Sequence, residues 1–205
     1  MKNSCKILII WIGILFCAGC SGDEYQNTYS DDVFDGSEES IQNFVRPELL
    51  GIMTGLGLQI HPGNFPPFVN GEYLASTLKL YASNIDSDVT NSIFADTYFK
   101  FRNQNRQNLM IELEYITANG SEFSRGNTSV IAGSGDFFTV FAKQKITEDE
   151  GSADSIIIVS GKITPAGISD FQFAIFISDN HGIPGFIENN HGRLFYDADN
   201  LAAKQ

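Results

Sequence analysis

From Gly71 onward the chain alternates apolar and polar residues with a period of two, and most breaks between the alternating segments are turn material. This pattern constrains the fold most, because successive side chains on a strand point to opposite faces and only a half-buried strand needs such alternation. Glu72–Tyr81 carries Leu74, Leu78 and Leu80 at even spacing. Phe94–Asn103 sets Ala95, Thr97, Phe99 and Phe101 against Asp96, Lys100 and Arg102, and Gln107–Thr117 sets Leu109, Ile111, Leu113 and Tyr115 against Glu112 and Glu114. Further strands are predicted at Thr128–Ala132, Phe137–Lys143, Ser155–Ile163, Ile168–Ser178 and Arg193–Asp197. Between them lie Gln104-Asn105-Arg106, Asn119-Gly120, Gly133–Asp136, the acidic Thr147–Asp154, Thr164–Gly167 and the looser Asp179–Asn190. Most of these are hairpin length or slightly longer. The expected class is all-β, an antiparallel up-and-down meander of about eight strands. Such a meander closes into a barrel or packs as a two-sheet sandwich, and sequential hairpins favour the barrel.

Upstream the texture differs. Pro47–Leu58, PELLGIMTGLGL, spaces Leu49, Ile52, Met53 and Leu56 as one helix face, with Pro47 suited to a first turn. Gly51, Gly55 and Gly57 weaken it, each by about 1 kcal/mol relative to alanine, so it needs a surface to pack on. The following HPGNFPPFVNG reads as a rigid, irregular lead-in to the strands. Residues 21–45 contain seven acids and no base, the composition of a solvated tether. The expected organisation is therefore an acidic flexible tether at 20–46 and a single β-barrel domain at 47–205 with one short helix at 47–58.

Met1–Cys20, MKNSCKILIIWIGILFCAGC, sets Lys2 and Lys6 before an apolar run from Ile7 to Ala18 and ends in Ala18-Gly19-Cys20. A basic start, a short apolar core and small residues at the exit make a signal peptide, here 1–19. The run is too short for the roughly 20 residues a membrane span needs. A cysteine directly after two small residues resembles the lipobox of bacterial lipoproteins, which implies cleavage before Cys20 and its lipidation. Asp23 and Glu24 behind it resemble the acidic export signal of Bacteroidota surface lipoproteins, which implies an outer-membrane location, surface-exposed or on the periplasmic face. Removing the signal leaves 11 basic against 25 acidic side chains, a net charge of −14. That sign argues against nucleic acid and against anionic lipid, so the membrane is met through lipidated Cys20. All three cysteines (Cys5, Cys17, Cys20) lie in or at the end of the signal, leaving no thiol for a disulfide, a metal or a nucleophile in the body.

Chemistry-bearing constellations are sparse. His61, His181 and His191 share no ligand spacing and sit in loop material, so no metal site is expected. Asp197-Ala198-Asp199-Asn200 begins like a calcium loop but lacks its glycine and terminal glutamate, and reads as a polar cap. Gly133-Ser134-Gly135 feeds a strand rather than a helix, so it is a turn and not a phosphate cradle. Glu112 and Glu114 lie on a polar strand face, and no serine elbow occurs. No catalytic residue and no cofactor is assigned, and the chain is read as non-enzymatic. Asp154-Ser155-Ile156 resembles the O-glycosylation sequon of Bacteroidota exported proteins, which implicates Ser155.

The hairpin series resembles the calycin (lipocalin-like) architecture, which implies a barrel with the Pro47–Leu58 helix as lid or plug. Its aromatic residues (Tyr73, Tyr81, Tyr98, Tyr115 and Tyr196, with Phe94, Phe99, Phe101, Phe138, Phe141, Phe171, Phe173 and Phe176) either fill the barrel or line a ligand cavity. Two functions follow. One is a lipid-anchored binding domain for a small apolar ligand or a glycan. The other is a structural, accessory or adhesin-like envelope lipoprotein with a solid core that contacts a protein partner.

Overall fold

A computed structural model describes residues 33–148 and 151–205. The expected signal peptide, Cys20 and most of the expected tether lie outside the described residues. Two helices, α1 (Glu38–Val45) and α2 (Pro47–Gly55), precede eleven strands: β1 (Asn64–Phe65), β2 (Gly71–Ala75), β3 (Leu78–Ser83), β4 (Thr97–Asn105), β5 (Met110–Thr117), β6 (Phe123–Ser134), β7 (Phe137–Glu148), β8 (Gly151–Thr164), β9 (Gly167–Asp179), β10 (Gly192–Asp197) and β11 (Leu201–Lys204). Among the described residues the fold is all-β apart from the two helices. The sheet is mixed, because β1 runs parallel to β6 while the other pairings are antiparallel.

The strands pair in the order β11-β2-β4-β5-β6-β7-β8-β9-β10-β3, and β11 also pairs with β9. Ala203 opposes Leu74 on β2 and also Gly167 on β9, so the pairings form a circuit that returns on itself. Eleven strands replace the expected eight for local reasons. Glu72–Tyr81 is broken at Ser76-Thr77 into β2 and β3, which pair with different neighbours. The break shifts the alternation by one residue, so Tyr73 and Ala75 are buried before it and Leu78 and Leu80 after it, while Leu74 is only half-buried. The presumed C-terminal cap is instead the turn from β10 to β11. The acidic stretch Thr147–Asp154 belongs largely to strand ends, since β7 runs to Glu148 and β8 starts at Gly151.

Each face of the sheet carries its own apolar layer. One face holds Tyr73, Phe99, Phe101, Leu113, Tyr115, Ile131, Phe138, Val140, Ile157, Val159, Phe171, Phe173 and Phe195. Its rings interlock: Phe173 lies 4.8 Å from Phe99, 5.3 Å from Tyr115 and 5.6 Å from Phe195. The opposite face presents Val130, Ala132, Phe141, Ile156, Ile158, Ala174, Phe176 and Leu194 to the helices. A strand buried on both faces needs no alternation, which accounts for the run Ile156-Ile157-Ile158-Val159 in β8.

The helices are thus not a plug at the strand ends; they blanket this second face with Ile41, Val45, Leu49 and Met53, and Leu58 just past α2 extends the cover. The expected single helix is two, and α1 occupies part of the segment expected to be tether. Ser37 caps it by accepting from Ser40 N–H at 3.2 Å, and Glu38 and Glu39 sit in the first turn where the helix dipole favours acids. Just before α1, backbones stack closely: Gly63 N–H donates to Gly36 O at 2.8 Å and Gly133 N–H to Gly63 O at 2.9 Å. A Cβ on Gly63 would meet Gly133 O at 2.5 Å, so only glycine admits this approach.

Below α2 the second face turns polar in one cross-strand row. Thr139 opposes Ser160, Ser160 opposes Gln172, and Gln172 opposes Tyr196. Thr139 Oγ1 accepts from His61 N–H at 2.9 Å, Ser160 Oγ donates to Gln59 O at 2.6 Å, and Gln172 Oε1 accepts from Gln59 N–H at 2.7 Å. The row pins the segment 57–61 to the sheet and replaces the backbone partners this irregular stretch lacks.

Candidate functional site

The long connection between β9 and β10, residues 180–191, folds back on itself and packs on the first face. Asn180 N–H donates to Asn189 Oδ1 at 2.7 Å, Asn180 Nδ2 donates to Ile187 O at 3.3 Å, and Asn190 N–H returns to Ile177 O at 2.8 Å. Pro184 and Gly185, the latter at φ 98°, turn the connection so that Phe186 and Ile187 pack against the core of the first face. Beneath them is a cavity of about 280 Å³ lined by Phe94, Glu122, Ile146, Ile175, Ile177, Gly185, Phe186, Ile187, Arg193 and Phe195.

Its polar groups are held in place. Arg193 donates Nε to Asp88 Oδ2 at 2.7 Å and Nη2 to Asp88 Oδ1 at 2.9 Å, a fork-to-carboxylate pairing that fixes the guanidinium. The hydrogen bond from Arg193 holds the Asp88 carboxyl below its usual range. The same guanidinium lies 5.5 Å from the Phe94 ring centroid, and Phe94 meets Phe195 edge-on at 4.9 Å. Glu122 accepts a short hydrogen bond from the Tyr115 hydroxyl. The cavity thus sets isoleucine and phenylalanine side chains beside two held charged groups, Arg193 and Glu122.

The residues singled out in the sequence are scattered. Phe94 reaches this cavity, whereas Tyr73, Tyr115, Phe99, Phe101, Phe138, Phe171 and Phe173 fill the first-face core and Phe141 and Phe176 the second. Ser155 is 1% exposed, lies between buried Ala153 and Ile157, and spends its hydroxyl on Gln144 O at 3.1 Å. The sequon-like triplet thus lies within β8, with the Ser155 side chain turned to the buried layer. Glu112 accepts from Asn103 Nδ2 at 2.8 Å rather than facing a second catalytic carboxylate. His61, His181 and His191 lie apart: His181 bridges Asp154 and Asp179 at 3.3 and 3.4 Å, and His191 Nδ1 contacts Asn189 O. Among the described residues no three His, Cys, Asp or Glu side chains are grouped to hold a metal ion.

Sequence reasoning missed Asp88, Glu122, Phe186, Ile187, Arg193 and Phe195. Arg193 and Phe195 share a parity on the last strand it did identify, so that signal was available. The others come from connections, where no periodicity marks an inward residue. Comparison with protein-family models, curated proteins and solved structures found no match. Among the described residues no helix is long and apolar enough to cross a membrane.

Proposed function

We propose that the pairing circuit through β11 is a closed, calycin-like barrel whose first face is the interior, and that the chain is a non-enzymatic envelope lipoprotein anchored in the outer membrane by lipidated Cys20. Its described domain binds a small apolar molecule at the open end of the barrel. The observation that carries this reading is the end cavity, whose isoleucine and phenylalanine walls stand beside a fixed guanidinium and carboxylate. The filled interior below it limits the ligand to the mouth, and the Arg193 and Glu122 groups would orient one polar atom of that ligand. Indole, a small ring with a single donor, is a suitable probe. The full-length protein should gain saturable thermal stability with indole, and Ile175→Trp, which fills the cavity, should remove the gain. Stabilisation that is absent, or equal in the variant, would reject the pocket as a binding site. The anchor is tested separately: wild type should incorporate labelled palmitate and Cys20→Ser should not, and label retained by the variant would refute the assignment.

A second reading, an accessory lipoprotein that meets a protein partner, is favoured by one surface feature. Phe65 and Phe68 are 67% and 59% exposed, and the Arg106 guanidinium lies 5.0 and 5.9 Å from their ring centroids. Phenylalanine and arginine are both enriched in protein interfaces relative to the rest of the surface.

A further inference from the structure

A second concavity, sharing no residue with the end cavity, lies on the opposite face of the sheet where the pinned segment 57–61 ends the helical cover. Its volume is about 790 Å³. One wall is Tyr81, which is 51% exposed yet fixed. Gly57, at φ 107°, lets the backbone come so close that a Cβ there would meet Tyr81 Cε1 at 2.8 Å, and the Tyr196 ring abuts Tyr81 edge-on at 6.0 Å. Exposed tyrosines ordinarily retain rotamer freedom; this one presents a ring held before any ligand arrives. The other wall is Phe137, 40% exposed, with the His61 ring 4.9 Å away.

Planar polar groups, tied by hydrogen bonds, line the same concavity. Tyr196 OH donates to Asn91 Oδ1 at 3.0 Å, and Asn200 Nδ2 donates to Asp170 Oδ1 at 2.9 Å. Asn91, Asp170 and Asn200 all take left-handed backbone conformations, with φ of 65°, 51° and 65°, which Asn and Asp tolerate better than most residues. We infer that this groove is a carbohydrate-binding site, with Tyr81 and Phe137 as platforms and Asn91, Asp170 and Asn200 as hydroxyl partners. A sugar ring offers an apolar C–H face to an aromatic ring and a rim of hydroxyls, each both donor and acceptor. Amides supply both roles and a carboxylate accepts, which matches that rim. A purely apolar ligand would strip water from the remaining amide and carboxylate atoms without replacing its hydrogen bonds, at a cost.

The full-length protein in detergent is applied to an array of neutral and acidic oligosaccharides, and retained glycans are titrated calorimetrically. At least one glycan should bind saturably, with affinity at least tenfold weaker in Tyr81→Ala and weaker in the isosteric Asp170→Asn. Both variants should keep the wild-type circular dichroism spectrum and wild-type indole stabilisation, since neither residue lines the end cavity. The inference is overturned if no glycan binds above the Tyr81→Ala background, or if both folded variants bind like wild type.

Discussion

The Asp197 carboxylate sits where two breaks in the strands meet. One oxygen accepts Ser76 N–H at 2.7 Å, at the break between β2 and β3, and the other accepts Asp199 N–H at 3.1 Å, in the turn from β10 to β11. The residue is fully buried, and desolvation, with the neighbouring Asp199 side chain, raises its pKa to about 6. Because the folded value lies above the unfolded one, the native state holds this proton more tightly than the unfolded chain does. The resulting contribution to stability is complete below about pH 4 and is lost as pH rises through about 6. Relative to Asp197→Asn, which cannot ionise, the wild type should therefore lose stability between pH 4 and pH 6 in urea unfolding. A difference that is flat or grows across that range would contradict the assignment. From sequence, Asp197 could be placed only in a polar cap, because burial of an acid depends on which loops converge over it.

At the scale of elements, alternation located β4 and β5 well, because each puts one face against the core, while β9 and β10, buried on both faces, were marked by the turn residues that bound them. It failed at Ser76-Thr77, where a break flips parity, and at β11, too short to show a period. The charge of segment 38–45 suggests a tether, yet Ile41, Phe44 and Val45 stand at helical spacing behind an N-capping Ser37. Ile41 and Val45 are buried in the second-face layer, and Phe44 packs against Phe34 and Phe141 at centroid distances of 6.0 and 6.5 Å. Helix α1 is thus part of the domain. Ile41→Ala should destabilise the whole domain by about 2–4 kcal/mol in denaturant titration, as a buried aliphatic truncation does. An unchanged midpoint would return α1 to the status of a solvated tether.

At the scale of the molecule, the all-β class was legible because hairpin-length turns separate period-two segments from Gly71 onward. The two concavities were not, since each is assembled from residues far apart in sequence: Glu122 with Arg193 in one, Tyr81 with Asp170 in the other. The aromatic count announced a ring-filled interior or a ring-lined cavity without choosing. In the fold most of these rings fill the core, and the cavity under the 180–191 connection is lined by Phe94, Phe186 and Phe195. That cavity carries the functional account, and the most direct measurement is methyl-resolved NMR of the full-length protein in detergent, titrated with indole. The account predicts saturable shifts at Ile146, Ile175, Ile177 and Ile187, with the buried Ile131 and Ile157 unmoved. Shifts spread evenly over all isoleucines, or absent from these four, would contradict it.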